Sequence, residues 1–212
     1  MEKQSDTPST ANSQTFKPIK KRQHVNRNPM ANYQLETIDV KEFNMIITLP
    51  PGEDILEWYA YNVFDFHRQV SMLFSTISEF CTSENCPRMT AGSGFKYLWS
   101  DGVPTPVEMA APAYISKLLD LIEHQLDDEA IFPSTPEKPF PSNFMTIIRN
   151  IMKRLFRVYA HFYYHHIEHF QVLQIEKYLN TSFRHFILFN KKYSLIAPAQ
   201  LEPLRDLIST IE

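Results

Sequence analysis

The sequence predicts an all-α fold, a helical bundle that carries a small β-hairpin. Glycine is scarce at 4 residues and proline is common at 15, a balance typical of helices joined by stiff loops. Apolar side chains recur every three or four residues over several long segments, as they do on the buried faces of amphipathic helices. Of the 212 residues, 43% are hydrophobic and 13% are aromatic. The chain is therefore large and apolar enough for one packed domain with a tail.

Residues 1–32 have the composition of a disordered tail. They are rich in Ser, Thr, Asn, Gln and Pro, and their six cations against two acids give a net charge of +4. The whole chain carries −3, so the predicted domain, residues 33–212, carries −7. A basic tail on an acidic body can bind nucleic acid, direct the protein to the nucleus, fold back on its own domain, or be a plain solvated linker.

The sequence gives no sign of a membrane span or of secretion. It contains no apolar run of membrane-spanning length, and residues 1–6 lack the apolar core of a signal peptide. With only two cysteines, nothing points to an oxidising compartment. We therefore expect a soluble protein of the cytosol or nucleus.

The apolar periodicity predicts the order of the elements. Residues 43–49 are expected to be extended, and a long helix follows over about 54–80, with Asp54 as its N-cap and Glu57 in position to complete a capping box. The glycines of Gly92-Ser-Gly94 predict a small hairpin between two β-prone runs. Later helices are expected at about 112–128, at about 143–173 after a cap at Ser142, at about 182–190 and at about 201–211.

Three acids, Glu53, Glu57 and Asp65, fall on one side of the first long helix. Such a stripe is usually a solvated face. Trp58 lies beside Glu57 near the start of the helix, and aromatic side chains next to charges are typical anchors of protein interfaces. This face is therefore a candidate binding surface.

The two cysteines, Cys81 and Cys86, and a histidine-rich stretch, residues 161–169, together contain the side chains of a candidate metal site. Two thiolates and two imidazoles complete a tetrahedral zinc shell, and four protein ligands leave no position for water, so such a zinc would be structural. Buried thiols, a disulfide and satisfied core histidines are the alternatives. Helix geometry favours His161 with His165, four residues apart, because His166 lies about 140° round an ideal helix from His161. The pair with His166 needs divergent rotamers or a local distortion.

Three cations, Lys153, Arg154 and Arg157, lie close together on the third long helix. Guanidinium groups bind phosphate oxygens with paired hydrogen bonds, so the cluster is a candidate phosphate site, with a solvated basic edge as the alternative. No glycine-rich phosphate loop and no nucleophile motif occur in the sequence, which argues against an enzyme.

Six ordered strings identify a resemblance that covers the chain from about Thr37 to its end. The clearest are Lys153-Arg-Leu-Phe-Arg-Val-Tyr-Ala-His161 and Glu79-Phe-Cys-Thr-Ser-Glu-Asn-Cys-Pro87; the others are at 49–58, 125–133, 139–144 and 179–186. Together they resemble the Mob (Mps-one-binder, or phocein) kinase-activator family, closest to its branch in Hippo and mitotic-exit signalling. Residues 19–36 scarcely match, and Gly92-Ser-Gly94 replaces a commoner Gly-Pro turn.

The resemblance implies specific roles for the candidate residues. The fold would be a helical bundle of the Mob/phocein type with one structural zinc, held by His166 rather than His165. Residues 33–50 would be a switch segment ahead of the domain core. The implied sites are zinc ligands Cys81, Cys86, His161 and His166; phosphopeptide contacts Lys153, Arg154 and Arg157; kinase contacts Glu53, Glu57, Trp58, Asp65 and His185; and phosphorylation at Thr15 and Thr37.

The function that the resemblance implies is that of a non-catalytic adaptor and co-activator of NDR/LATS-type AGC kinases. It would bind the basic N-terminal regulatory region of the kinase and a phosphothreonine on an upstream Hippo-type kinase or scaffold, in the cytoplasm and nucleus, including spindle poles or centrosomes. The alternatives are a zinc-stabilised nucleic-acid-binding protein and a zinc hydrolase. The acidic body argues against nucleic acid, because it would repel a duplex, and a hydrolase needs an open metal position.

Overall fold

The computed structural model describes residues 16–18, 33, 35–37, 43–100, 105–135 and 137–211, with backbone alone at 16–18. In these ranges the order is β1 (Phe16–Pro18), α1 (Phe43–Ile46), α2 (Ile55–Ile77), β2 (Thr90–Ala91), β3 (Phe95–Tyr97), α3 (Ala111–Asp127), α4 (Phe144–His165), α5 (Ile167–Val172), α6 (Glu176–Tyr193), α7 (Pro198–Leu201), a 3-10 turn (Glu202–Leu204) and α8 (Arg205–Ile208). The predicted helical class with a small hairpin is confirmed. None of the helices in these ranges is both long enough and apolar enough to span a membrane.

The long helix α4 lies at the centre of the core. Most of its side chains between Ile148 and Tyr163 are buried, including polar ones such as Arg157 and His161. Tyr159 of α4 packs against Phe183 and Phe186 of α6, with ring centroids 5.4 and 5.0 Å apart. A helix buried on nearly all sides needs partners for its polar groups, and this places several candidate site residues inside the fold rather than on its surface.

The helix α2 begins as the sequence predicts. The Asp54 carboxylate caps it by accepting hydrogen bonds from the backbone N–H groups of Leu56 and Glu57, at 2.7 and 3.2 Å. Its inner face carries Val63, Phe66 and Val70, all essentially unexposed. Phe66 contacts Phe186 and Phe189 of α6, so α2 and α6 form one packed pair.

The hairpin predicted around Gly92 is present and gains a third strand. β2 and β3 pair antiparallel, and β1 pairs antiparallel with β3 on the other side, with Phe16 opposite Tyr97. Gly92 has a φ of +62°, and a Cβ there would lie 2.7 Å from the Tyr164 ring of α4, so the turn requires glycine. Strand β1 lies within the segment predicted to be a disordered tail. Composition could not reveal this strand, because three residues are too few to alter the composition of the segment.

Several predicted boundaries are wrong. Residues 43–46 form the short helix α1 instead of an extended segment. The cap of α4 is Asn143 rather than Ser142, and α4 ends at His165 instead of continuing to 173. The helix expected at 182–190 is longer, Glu176–Tyr193, and the last predicted helix is divided into α7, the 3-10 turn and α8. Pro203 explains that last division, since proline supplies no N–H to a helix interior.

Residues 33, 35–37 and 43–49 lie along α6, from its beginning to its end. The Tyr33 hydroxyl bonds to Asn180 at 3.1 Å, and the Asn180 amide donates to the Glu36 carbonyl at 2.8 Å. Further along, the ring of Phe43 lies under the Arg184 guanidinium at 5.0 Å. The Tyr193 hydroxyl donates to the Ile47 carbonyl at 3.0 Å near the end of α6. The described parts of this segment therefore form a strap along α6.

Candidate functional site

Two cysteines and two histidines meet in the core although 80 residues separate each pair. Cys81 and Cys86 lie in the loop after α2, and His161 and His166 lie near the end of α4. Cys81 Sγ is 3.6 Å from His161 Nε2, and Cys86 Sγ is 3.4 Å from His166 Nε2. All four ligand atoms lie within 4.8 Å of one another, and all four residues are buried.

These distances fit a tetrahedral metal shell. With metal–sulfur and metal–nitrogen bonds of about 2.3 and 2.0 Å, neighbouring ligand atoms of a tetrahedron lie about 3.5 Å apart. The His161 Nδ1–H donates to the Thr90 carbonyl at 2.9 Å, and this fixes the tautomer whose Nε2 lone pair faces Cys81. The group can therefore hold a metal ion with four protein ligands.

Burial sets the protonation of these four groups. It raises the pKa of the Cys81 thiol to about 12, with Cys86 adding to the effect. It lowers the pKa of His161 to about 3, helped by the nearby His165, and lowers that of His166 to about 4. Neutral imidazoles are the form that binds metal, whereas the thiols need a cation beside them to ionise at neutral pH.

The break after α4 explains which histidines converge. His166 has φ −132° and ψ 4°, outside the helical region, and it separates α4 from α5. This local distortion turns the His166 ring towards Cys86 and removes the 140° mismatch of a straight helix. The preference for His165 from helix spacing is wrong: its exposed ring bonds the Thr90 hydroxyl at 2.9 Å instead. Helix periodicity assumes a continuous helix, whereas here the helix is interrupted at His166, so the spacing rule selected the wrong histidine.

The three predicted cations lie on α4 against the hairpin and α3. The Arg154 guanidinium donates to the Ser100 carbonyl at 2.6 Å and lies over the Trp99 ring at 4.7 Å. Arg157 is only 2% exposed, donates to the Tyr114 hydroxyl at 3.0 Å and lies over the Tyr97 ring. Aromatic faces and fixed acceptors thus hold both guanidinium groups in place.

Lys153 completes this cationic site. Its ammonium donates to the Asn150 side chain at 3.1 Å. Its pKa is lowered to about 8, first by burial and then by the positive charges of Arg157 and Arg154. A bound anion would relieve this repulsion, so the site is electrostatically suited to a phosphate.

A fourth cation and a groove adjoin the site, and the sequence did not single out either. The Lys117 ammonium of α3 lies over the same Trp99 ring as Arg154, at 5.1 Å. An open groove of about 320 Å³ runs beside Arg154 between α3 and α4, and its walls are mainly the apolar side chains Leu118, Leu121, Ile122, Ile147 and Ile151. Lys117 is distant in sequence from α4, and only the packing of α3 reveals it.

The predicted acidic face lies on the outer side of α2. Glu53 and Glu57 are exposed, and Trp58 stacks on Tyr61 with ring centroids 5.8 Å apart. Asp65 lies two turns further along, with its side chain 23% exposed. The spacing of 57, 61 and 65 keeps these residues on one face of the helix.

His185 reaches the same face from α6. Its ring packs on Phe66 of α2, with centroids 4.8 Å apart. Burial lowers the pKa of His185, and the negative charge of Asp65 opposes that shift, which indicates that the two side chains are close. The structure therefore brings Asp65 and His185 together across α2 and α6.

Exposed apolar side chains lie beside the acids of α2, and the sequence pattern did not single them out. Tyr61, Phe64 and Met72 are 62%, 53% and 63% exposed on this outer side. Each stands four or seven residues from Glu57 or Asp65, a spacing that could have identified them. Large apolar side chains exposed beside charges are typical of a surface that a partner covers.

The two predicted phosphorylation sites differ in what the structure describes. Thr37 is half-buried and follows Glu36, whose carbonyl is bound by Asn180. Thr15 lies outside the described residues.

A family model for the Mob1/phocein family matches residues 35–204. The chain belongs to the Mob1/phocein family. It is 45% identical to MOB kinase activator-like 1A of Medicago sativa subsp. falcata and 44% identical to the protein of that name from Arabidopsis thaliana, each over 203 residues. It is 42% identical to MOB kinase activator-like 1 homolog C of Dictyostelium discoideum over 202 residues. Each match covers 94% of both chains. The Mob1/phocein resemblance found in the sequence is confirmed.

Proposed function

We propose that this chain is a non-catalytic adaptor and co-activator of a protein kinase. Members of the Mob1/phocein family are regulatory adaptors rather than catalysts, and the relatives above are named as kinase activators. The observation that carries the proposal is the separation of two surfaces of opposite charge. The acidic face belongs to α2 and α6, and the cationic site belongs to α4, α3 and the hairpin. Two partners with opposite charge requirements can therefore bind one fold.

The acidic face would bind the basic N-terminal regulatory segment of an NDR/LATS-type kinase. Glu53, Glu57 and Asp65 offer negative charge, which speeds encounter with a basic helix and sets its orientation. Trp58 and Tyr61 offer a stacked aromatic surface to its apolar side. Binding would order the kinase segment and shift the kinase towards an active arrangement.

The cationic site would bind a phosphothreonine on an upstream Hippo-type kinase or scaffold. Arg154 and Arg157 are held in fixed orientations by aromatic rings and hydrogen bonds, so little entropy is lost when they bind a phosphate. The groove beside Arg154 has room for a neighbouring apolar side chain of the same peptide. The proposed location follows from these partners: cytoplasm and nucleus, including spindle poles or centrosomes.

The proposed metal is zinc in a structural role. Cys2His2 is a donor set that zinc prefers, and with four protein ligands no position stays open for water. Cys81, Cys86, His161 and His166 would hold it. It would bind the loop after α2 to the end of α4, and so fix the helices that carry the two charged surfaces.

Charge reversal on each surface tests the adaptor model. Glu57→Lys should weaken binding of a basic kinase segment by at least about fivefold, because it sets like charge against the partner, and should leave the affinity for a phosphothreonine peptide unchanged. Lys153→Glu combined with Arg154→Glu should do the reverse. Calorimetric titration of each folded variant with both peptides, with duplex DNA as a third ligand, gives the measurement.

Glu123→Lys is the matched control, since Glu123 is an exposed acid on α3, whereas the acidic face is formed by α2 and α6. It should change neither peptide affinity. Loss of both interactions in either charge-reversed variant would contradict two independent surfaces, and tighter binding of duplex DNA than of either peptide would favour the nucleic-acid alternative.

A further inference from the structure

We propose that Tyr159, Ser182 and Gln69 form a buried hydrogen-bond relay that positions the Asp65 carboxylate for its partner. The three residues come from three helices, α4, α6 and α2; Tyr159 and Ser182 are buried, whereas Gln69 and Asp65 on α2 are partly exposed. The inference rests on the proposed function, because it assigns Asp65 to the kinase-binding face. It goes beyond that function by naming the positioning residues on which the acidic face depends.

The relay is continuous and short at every step. The hydroxyls of Tyr159 and Ser182 are 2.6 Å apart. The Ser182 hydroxyl is 2.6 Å from the Gln69 amide oxygen, and the Gln69 amide nitrogen is 2.6 Å from Asp65 Oδ2. Tyr159 is completely buried and Ser182 is 8% exposed, so bulk water does not compete with the inner steps.

The direction of every hydrogen bond follows from the carboxylate. An ionised carboxylate only accepts, so Gln69 must turn its N–H towards Asp65 and its carbonyl towards Ser182. Ser182 donates its single O–H to that carbonyl, and Tyr159 must therefore donate to the Ser182 oxygen. All three donors point towards Asp65, an arrangement in which each bond polarises the next and strengthens the final one.

The other groups around Asp65 do not replace the relay. Arg68 lies 3.7 Å from Asp65 Oδ1, and its side chain is 66% exposed, so this ion pair is weak and solvated. His185 lies near Asp65 from α6, and burial favours its neutral form by lowering its pKa. Burial also raises the pKa of Tyr159, which keeps its proton available to donate. Gln69 is thus the short, directed contact that fixes the carboxylate.

A fixed carboxylate matters because an exposed acid loses rotamer freedom when it pairs with a cation. The relay restricts the Asp65 rotamer before the partner binds, and it leaves Oδ1 turned towards the surface on the side of Arg68. A guanidinium or ammonium of the kinase segment then meets a pre-organised acceptor.

A double-mutant cycle on the purified protein tests the relay. Ser182→Ala should weaken binding of a basic kinase-segment peptide by about three- to tenfold, the effect of one lost hydrogen bond at a charged group. In an Asp65→Asn background the same substitution should change affinity by less than about twofold, because the carboxylate it positions is gone. Ser71→Ala is the matched control: the Ser71 hydroxyl donates to the His67 carbonyl on its own helix, and its loss should not alter affinity in either background.

Two further measurements keep the test decisive. Tyr159→Phe retains the packed ring and should weaken binding in the same direction as Ser182→Ala. In nitrogen-15 NMR the side-chain amide resonances of Gln69 should shift in both variants and not in Ser71→Ala, because the hydrogen bond donated to the Gln69 carbonyl is lost or weakened. This readout needs no partner, and a merely structural loss would not move it.

The outcomes separate the relay from the proposed function. Equal losses in the wild-type and Asp65→Asn backgrounds, or unchanged Gln69 side-chain amide resonances in the variants, would overturn the relay while leaving the acidic face intact. If Asp65→Asn alone leaves peptide affinity unchanged, the assignment of Asp65 to the kinase-binding face is wrong, and the relay proposal falls with it.

Discussion

At the scale of single residues, Lys153 shows how the fold prepares a side chain for an anion. Its ammonium lies against Asn150, and burial together with Arg157 and Arg154 lowers its pKa to about 8. The charged form is therefore costly in the free protein, and a phosphate that contacts the site would stabilise it. The proposed phosphate site would therefore change its charge near physiological pH.

The affinity for a phosphothreonine peptide should fall as pH rises through the lowered pKa of Lys153. Below about pH 8 the lysine is charged and binds the phosphate, whereas above it a proton must be taken up on binding, so affinity should drop about tenfold between pH 7 and 9. Below about pH 6 the phosphate gains a proton and affinity should fall again. Titration across pH 5.5–9.5 checks this profile.

Lys153→Arg is the control for this profile, because a guanidinium stays charged over the whole range. The variant should keep the decline below pH 6 and lose the decline above pH 8. A wild-type affinity that stays constant to pH 9 would contradict the assignment of Lys153 to the phosphate site.

The metal centre could be predicted only in part from the sequence. Composition identified two cysteines and a histidine cluster, and family resemblance selected His166. Helix periodicity selected His165 instead, because a spacing rule cannot foresee the φ of −132° that ends α4 at His166. The relay residues were also beyond reach from sequence, since Tyr159, Ser182 and Gln69 lie on three helices and only their packing makes them neighbours.

At the scale of elements, the strap along α6 links the start of the domain to the proposed kinase-binding face. Asn180 holds the strap at Tyr33 and Glu36, and Tyr193 holds it at Ile47. Lys177 adds an ion pair to Glu36 at 3.2 Å, exposed on both sides and therefore weak. His185, on the same helix, belongs to the acidic face, so a strap on α6 is well placed to limit access to it.

Phosphorylation of Thr37 should release the strap and raise affinity for the kinase segment. The phosphate adds about −1.5 to −2 charges next to Glu36, and like charges should weaken the docking at Asn180. Binding should be tighter for protein phosphorylated at Thr37 and for a chain that begins at Pro50 than for the unmodified protein. Titration of all three with one basic peptide measures this.

Thr48→Glu offers a control, since it adds charge to the exposed end of the strap without touching the contacts at Asn180. Its affinity should stay near that of the unmodified protein. Identical affinities for the unmodified, phosphorylated and shortened proteins would show that the strap is not a switch.

Long amphipathic elements were the most predictable part of the fold. The periodicity of α2 and α3 gave their extent to within a few residues, and Asp54 gave the start of α2. Short elements were not predictable: α1 has four residues, and the three residues of β1 are set by pairing with β3 rather than by their own composition. Tertiary contacts decide such segments, so local sequence carries little of the signal.

At the scale of the whole molecule, the Cys2His2 group connects the two halves of the core. It joins the loop after α2 to the end of α4, which are 80 residues apart in sequence. Helix α2 carries the acidic face and α4 carries the cationic site, so one metal ion would hold the frame on which both surfaces depend. Metal binding of this kind is coupled to folding.

Removal of the metal should unfold the domain. Zinc in such sites contributes on the order of 10 kcal/mol, comparable with the whole stability of a domain. Cys86→Ser, His166→Ala or a strong chelator should therefore abolish the cooperative thermal transition, and elemental analysis of the purified protein should find one zinc per chain.

His165→Ala is the matched control, because His165 neighbours the site but bonds Thr90 instead of joining the four ligand atoms. It should retain zinc and its melting transition. Protein that contains no zinc and melts unchanged in chelator would contradict the structural metal.

Simultaneous binding tests whether one fold carries two independent surfaces, one for a kinase and one for a phosphorylated partner. The measurement is analytical ultracentrifugation of the intact protein with a labelled basic kinase segment and a labelled phosphothreonine peptide, each supplied above its own dissociation constant. We expect a 1:1:1 complex in which saturation with one peptide leaves the affinity for the other within about twofold. Mutual exclusion, with each peptide displacing the other from the folded protein, would contradict it.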